Sequence, residues 1–163
     1  MKRAALLLAV LLLCIVTAPA CADLDESKSA VDMETVKDFL HELYTINACD
    51  LAFSDSVDSE SRDMLYAAWL VGRLGPHCAP EVLDLLRTSR FPFRWMEEGC
   101  TAMVGSVVLE QRNPESAGEG RFTYTIDLLL FPASGAAESL TLTGRLTQSG
   151  ETGLIADLRF DHL

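Results

Sequence analysis

Few residues able to do chemistry stand at a spacing that commits them to it. His41-Glu42-Leu43-Tyr44-Thr45 comes near the helical H-E-x-x-H zinc pattern, but Thr45 occupies the second ligand position and half the pair is missing. His41 also falls on the polar side of the helix this segment should form, as a solvated imidazole. His77 and Cys78 are adjacent, and adjacent side chains rarely converge on one centre. Asp55, Asp58, Glu60 and Asp63 crowd together without the glycine and alternating oxygens of a calcium loop, so they read as a capped helix start. No G-x-S-x-G, phosphate-binding loop or dinucleotide fingerprint occurs, and no metal or cofactor is expected. The aromatic run Phe91, Phe93 and Trp95, flanked by Arg90 and Arg94, is the best candidate for contact with another molecule. It reads as an exposed binding patch or as a segment plugging the open end of the fold.

The elements that must position these residues follow from periodicity. Met33, Val36, Phe39, Leu40 and Leu43 share one face of a helix predicted over 32–46. A connection over 49–57 leads to a second helix that starts at Asp58 or Ser59, runs to Arg73 and stops at Gly75-Pro76. Met64, Leu65, Tyr66, Ala68, Trp69, Leu70 and Val71 leave it almost no polar face, so it should be sandwiched between layers. Pro80 opens a third helix through Leu86. Strands are predicted over 101–111, 121–131, 138–148 and 154–162. In the last, Leu154, Ala156, Leu158 and Phe160 alternate with Asp157, Arg159 and Asp161. Four strands on short loops after a run of helices specify an α+β domain: N-terminal helices packed on a curved, four-stranded or larger antiparallel sheet.

Charge narrows the partners. Across 163 residues, 13 Lys plus Arg face 24 Asp plus Glu, a net charge of −11. That balance opposes a nucleic-acid footprint and docking on anionic lipid. The excess is concentrated: residues 23–63 hold 12 acids against Lys28, Lys37 and Arg62, while residues 64–163 hold 12 acids against 8 arginines.

Residues 1–22 have the layout of a secretory signal peptide: Lys2 and Arg3, an apolar run over 4–16, then small residues and Pro19. Residues 23–31 read as an acidic flexible tether, and 32–163 as one domain. The chain is therefore expected to be exported, periplasmic or secreted. Ala18-Pro19-Ala20-Cys21 also resembles a bacterial lipobox, which would make Cys21 a lipidation site; soluble and lipid-anchored export both stay open. An oxidising compartment permits a disulfide among Cys49, Cys78 and Cys100. An antiparallel hairpin of the first two helices would hold Cys49 and Cys78 roughly 20 Å apart. Cys78–Cys100 is then the first choice and Cys49–Cys100 the second.

The segments VDMETVKDFLHELYT (31–45), SDSVDSESRDML (54–65) and LIADLRF (154–160), in this order around the predicted meander, resemble the NTF2-like, or cystatin-like, superfamily. The pattern is similar to secreted bacterial NTF2-like domains of unassigned function. The resemblance implies a cone between helices and sheet, used by members as an enzyme site, a ligand pocket or a protein-binding surface. In ketosteroid-isomerase-like members an acid faces a tyrosine or histidine inside that cone. Here Tyr124 falls in register with Phe122, Ile126, Leu128 and Leu130 and should point inward, whereas Asp127 and Asp157 read as solvent-facing. With no inward carboxylate, that role finds no residue, and enzymatic activity is not favoured.

The expected pocket residues are Tyr44, Trp69, Trp95 and Tyr124. The functional expectation is an exported, non-catalytic NTF2-like domain binding a partner protein or an apolar small molecule. Alternatives are a small-molecule enzyme using the cone, and an acidic periplasmic inhibitor or immunity protein against a basic enzyme. Nucleic acid is not an expected partner; membrane contact is expected only through the leader or a lipid on Cys21, and a homodimer through the sheet is a further option.

Overall fold

Asp32 fixes where the first helix begins. Its carboxylate accepts the Glu34 backbone N–H at 2.9 Å and the Thr35 hydroxyl at 2.8 Å, filling an N-cap for α1, Met33–Tyr44. The computed structural model describes residues 31–53, 58–112 and 118–161. The leader with Cys14 and Cys21, residues 23–30 of the expected tether, Asp55 and His162 lie outside the described residues. Val31, at the end of that tether, packs against the core.

After α1 the chain makes a 3-10 helix, Ala48–Phe53, then α2, Ser59–Leu74, capped by Asp58. Pro80 at the first turn opens α3, Pro80–Ser89, three residues longer than expected. A short α4, Phe93–Glu97, was not legible in the pattern. The strands are β1, Thr101–Arg112, β2, Glu119–Phe131, β3, Glu138–Ser149, and β4, Ile155–Phe160. They pair in sequence order, all antiparallel, as the alternating apolar residues require. The chain is thus α+β, with helices packed on one face of an open four-stranded sheet.

Val36, Phe39, Leu40 and Leu43 of α1 are fully buried with Phe122, Ile126 and Leu128 of β2. Both sheet edges are partly covered by the chain itself. Ile46 and Ala102 exchange backbone hydrogen bonds at the β1 edge. Beside β4, Ala79 N–H donates to Ile155 O at 2.8 Å and Ile155 N–H donates to His77 O at 2.9 Å.

Three expectations need correction. The second helix is not sandwiched: Tyr66, Leu70 and Leu74 face the core, while Met64 is 62% and Val71 60% exposed. One helical layer on one sheet leaves its outer side uncovered among the described residues. In β4 the inward residues are Ile155 and Leu158, whereas Ala156 is exposed. Thr147 pairs with Asp157 and Gln148 with Ile155, so Ala156 is an extra residue in a bulge that resets the alternation. Finally, neither expected disulfide is formed: Cys49, Cys78 and Cys100 are free thiols. Cys78 lies beside β4 and Cys100 leads into β1, the two opposite edges of the sheet, about 14 Å apart at ~4.8 Å per strand. Cys49 is exposed, whereas Cys100 is buried with its thiol directed at Glu98 O.

Candidate functional site

β4 pairs with β3 from Gly144 to Gln148, and Asp161 N–H donates to Thr143 O just beyond, so among the described residues the Leu140–Leu142 stretch of β3 has no backbone partner on that side. The aromatic segment between α3 and β1 lies over this opening. Phe91, Arg94, Trp95, Leu140, Leu142 and Phe160, with Tyr44 and the two flanking threonines, line a cavity of about 390 Å³.

Aromatic contacts fix its wall. Phe91 meets Tyr44 edge-on at 5.4 Å between centroids, Trp95 at 5.1 Å and Phe160 at 4.8 Å. Phe91 is positioned from behind by Tyr66, whose hydroxyl donates to Phe91 O at 2.7 Å and whose ring stacks on Phe93 at 4.5 Å. Arg90 holds the turn into this segment in the left-handed region, φ 55°, a costly conformation for a side chain other than glycine. Its guanidinium is engaged by Asp63 at 3.0 Å and Glu97 at 2.8 Å, and lies over the Phe93 ring. Phe91, Phe93 and Met96 are buried and Trp95 is half-buried. The run therefore closes the helix-to-sheet opening and leaves one apolar recess beside it.

Beneath the cavity, Tyr44 and Tyr124 bring their hydroxyls within 3.0 Å. Burial pushes the Tyr44 hydroxyl well above its ordinary range and Tyr124 up to about 12. Both are neutral phenols at any physiological pH, and neither hydroxyl has another partner among the described residues. Among the described residues Arg94 is the one charged residue in the lining, and its guanidinium reaches Glu98 at 3.3 Å in an exposed pair.

Of the four residues expected in a pocket, Tyr44 and Trp95 line this cavity, and Tyr124 sits one ring deeper. Trp69 belongs elsewhere. Its indole N–H donates to Asp50 Oδ1 at 3.0 Å, and Arg73 lies over its ring while reaching Asp50 Oδ2 at 3.0 Å and Glu42 at 2.7 Å. Asp50 Oδ2 also accepts the Asn47 N–H at 2.8 Å. This clamp ties α1, the 3-10 helix and α2 together, and its polar demand draws Trp69 away from the sheet. Phe91 and Arg94 belong to the aromatic run that the sequence offers as a contact patch, whereas Leu140, Leu142 and Phe160 are lining residues that it does not single out.

Asp127 and Asp157 are solvent-facing. Asp127 accepts the Ser106 hydroxyl at 2.7 Å and the Thr141 hydroxyl at 2.8 Å, and these bonds hold its carboxyl below the usual range. His41 is exposed, and no cluster of three His, Cys, Asp or Glu able to hold a metal occurs among the described residues. Burial pushes the Cys78 thiol up to about 11, so it stays protonated beside Leu74 O. No helix of the described residues is long and apolar enough to cross a membrane.

No protein-family model matches the chain, and no curated protein matches it. Among solved structures it is similar to the intermembrane space region of the chloroplast protein ARC6, with 13% identity and a TM-score of 0.37. That likeness covers 79% of this chain and 95% of the other.

Proposed function

We propose that this chain is an exported binding domain of NTF2-like type, and that the cavity beside Trp95 takes an apolar small molecule. Export rests on the pattern of residues 1–22, and the NTF2-like assignment on the order of helices and strands. The observation that carries the ligand class is the lining: aromatic and aliphatic faces from Phe91, Trp95, Leu140, Leu142 and Phe160 around an open recess. Among the described residues the wall offers no carboxylate, imidazole or ionisable thiol, and the Tyr44 and Tyr124 phenols are neutral. It supplies apolar contact and no acid–base pair, which supports binding over chemistry.

A neutral fluorescent probe, N-phenyl-1-naphthylamine, tests the reading. Saturable one-to-one binding is expected, with affinity reduced at least tenfold by Leu142→Trp, which fills the recess from a half-buried position. Binding that is absent, or unchanged in the filled variant, would overturn it.

A further inference from the structure

The outer face of the sheet, turned away from α1, carries its side chains in rows set by strand register. One row reads Arg112, Arg121, Thr147 and Asp157 from β1 to β4. The adjacent row reads Glu110, Thr123, Arg145 and Arg159. Four arginines therefore zigzag across all four strands within two neighbouring rows, over a width of about 14 Å at ~4.8 Å per strand. Arg112 lies directly opposite Arg121, and Arg145 directly opposite Arg159. Like charges in such cross-strand pairs are destabilising.

The four arginines, with Thr147 and Asp157, line a groove of about 480 Å³. The four arginines gather here on a chain whose net charge is −11, with the carboxylates of Glu110, Glu119, Asp157 and Asp161 around them. Present neutralisation is weak. Arg121 reaches Glu119 at 3.3 Å, Arg145 reaches Asp161 at 3.3 Å and Arg159 reaches Asp157 at 3.1 Å, from side chains 61%, 53% and 67% exposed. Exposed pairs of that kind are screened and readily exchanged for a better partner. Arg112 has no ion-pair partner among the described residues.

We propose that this groove binds a compact multivalent oxyanion, a phosphorylated or polycarboxylate small molecule. Guanidinium forks match carboxylate and phosphate oxygens in paired hydrogen bonds. An anion between the two like-charged pairs would relieve the repulsion within both. The small width of the patch suits a small ligand, and the overall negative charge opposes a long polyanion such as nucleic acid. The site shares no lining residue with the apolar cavity, so the two proposals stand independently.

Titration calorimetry at low ionic strength tests it, with inorganic pyrophosphate and citrate as separate probes of phosphate and carboxylate chemistry. The expected result is saturable one-to-one binding of at least one probe, weakened fivefold or more by Arg112→Gln combined with Arg145→Gln. Arg87→Gln, a control on α3 whose guanidinium pairs with Asp84, should leave the affinity unchanged. Should the double variant fail to fold, Arg112→Gln alone is judged by the same fivefold criterion. No saturable binding of either probe, a loss smaller than fivefold, or an equal loss in the α3 control would overturn the proposal.

Discussion

Removing one hydroxyl of the Tyr44–Tyr124 pair should cost more than removing both. The two oxygens are 3.0 Å apart in residues with no solvent exposure, and neither has another partner among the described residues. One hydroxyl donates to the other, so Tyr44→Phe or Tyr124→Phe strands a buried polar group. The expected cost is about 1–2 kcal/mol for each single variant, within the range for an unsatisfied buried hydroxyl. Replacing both rings by Phe leaves nothing stranded and should cost less than about 1 kcal/mol. The coupling in the double-mutant cycle is therefore about 1–3 kcal/mol. Urea unfolding followed by far-ultraviolet circular dichroism reads it directly. At a slope of about 1.5 kcal/mol per M, each single variant should lower the midpoint by roughly 1 M. A double variant whose loss equals the sum of the singles would refute a shared buried bond.

All three tyrosines of the chain are raised by burial. In the unfolded chain they ionise near pH 10, so this contribution to stability is complete below that pH and is lost as pH rises toward 12. Absorbance at 295 nm should show no tyrosinate until the alkaline unfolding transition; a titration near pH 10 in the folded protein would contradict the burial. Asp50→Ala strands the Trp69 indole N–H and the Asn47 N–H and removes one of two partners of Arg73. The expected loss is about 3 kcal/mol by chemical denaturation, and a change under about 0.5 kcal/mol would show that the clamp is not holding the helices.

The strand order was legible because alternation survives in β2 and β3, where inward Phe122, Tyr124, Ile126 and Leu128 face outward Thr123, Thr125 and Asp127. Helix starts were legible through Asp32, Asp58 and Pro80, whose chemistry is local. The last strand misled because one extra residue at Ala156 inverts the phase, and period-two reading cannot see a bulge. The second helix misled because its composition says how much apolar surface it carries, not whether another layer exists to cover it. Within the site, Tyr44 and Tyr124 were readable from their phase on a helix and a strand. Trp69 was misplaced because its position depends on Asp50 and Arg73, partners distant in sequence and joined only by the fold. The segment 91–97 carried the right residues, but its path depends on Arg90 in the left-handed region and on Tyr66 from another helix. Neither has a local signature.

The most direct test of the account is to map where an apolar molecule sits. Isotope-labelled protein titrated with N-phenyl-1-naphthylamine should show saturable amide and side-chain shifts at Tyr44, Phe91, Trp95, Leu142 and Phe160. Shifts confined instead to the exposed outer side of α2, around Met64 and Val71, or no saturable shifts at all, would contradict the cavity as the binding site.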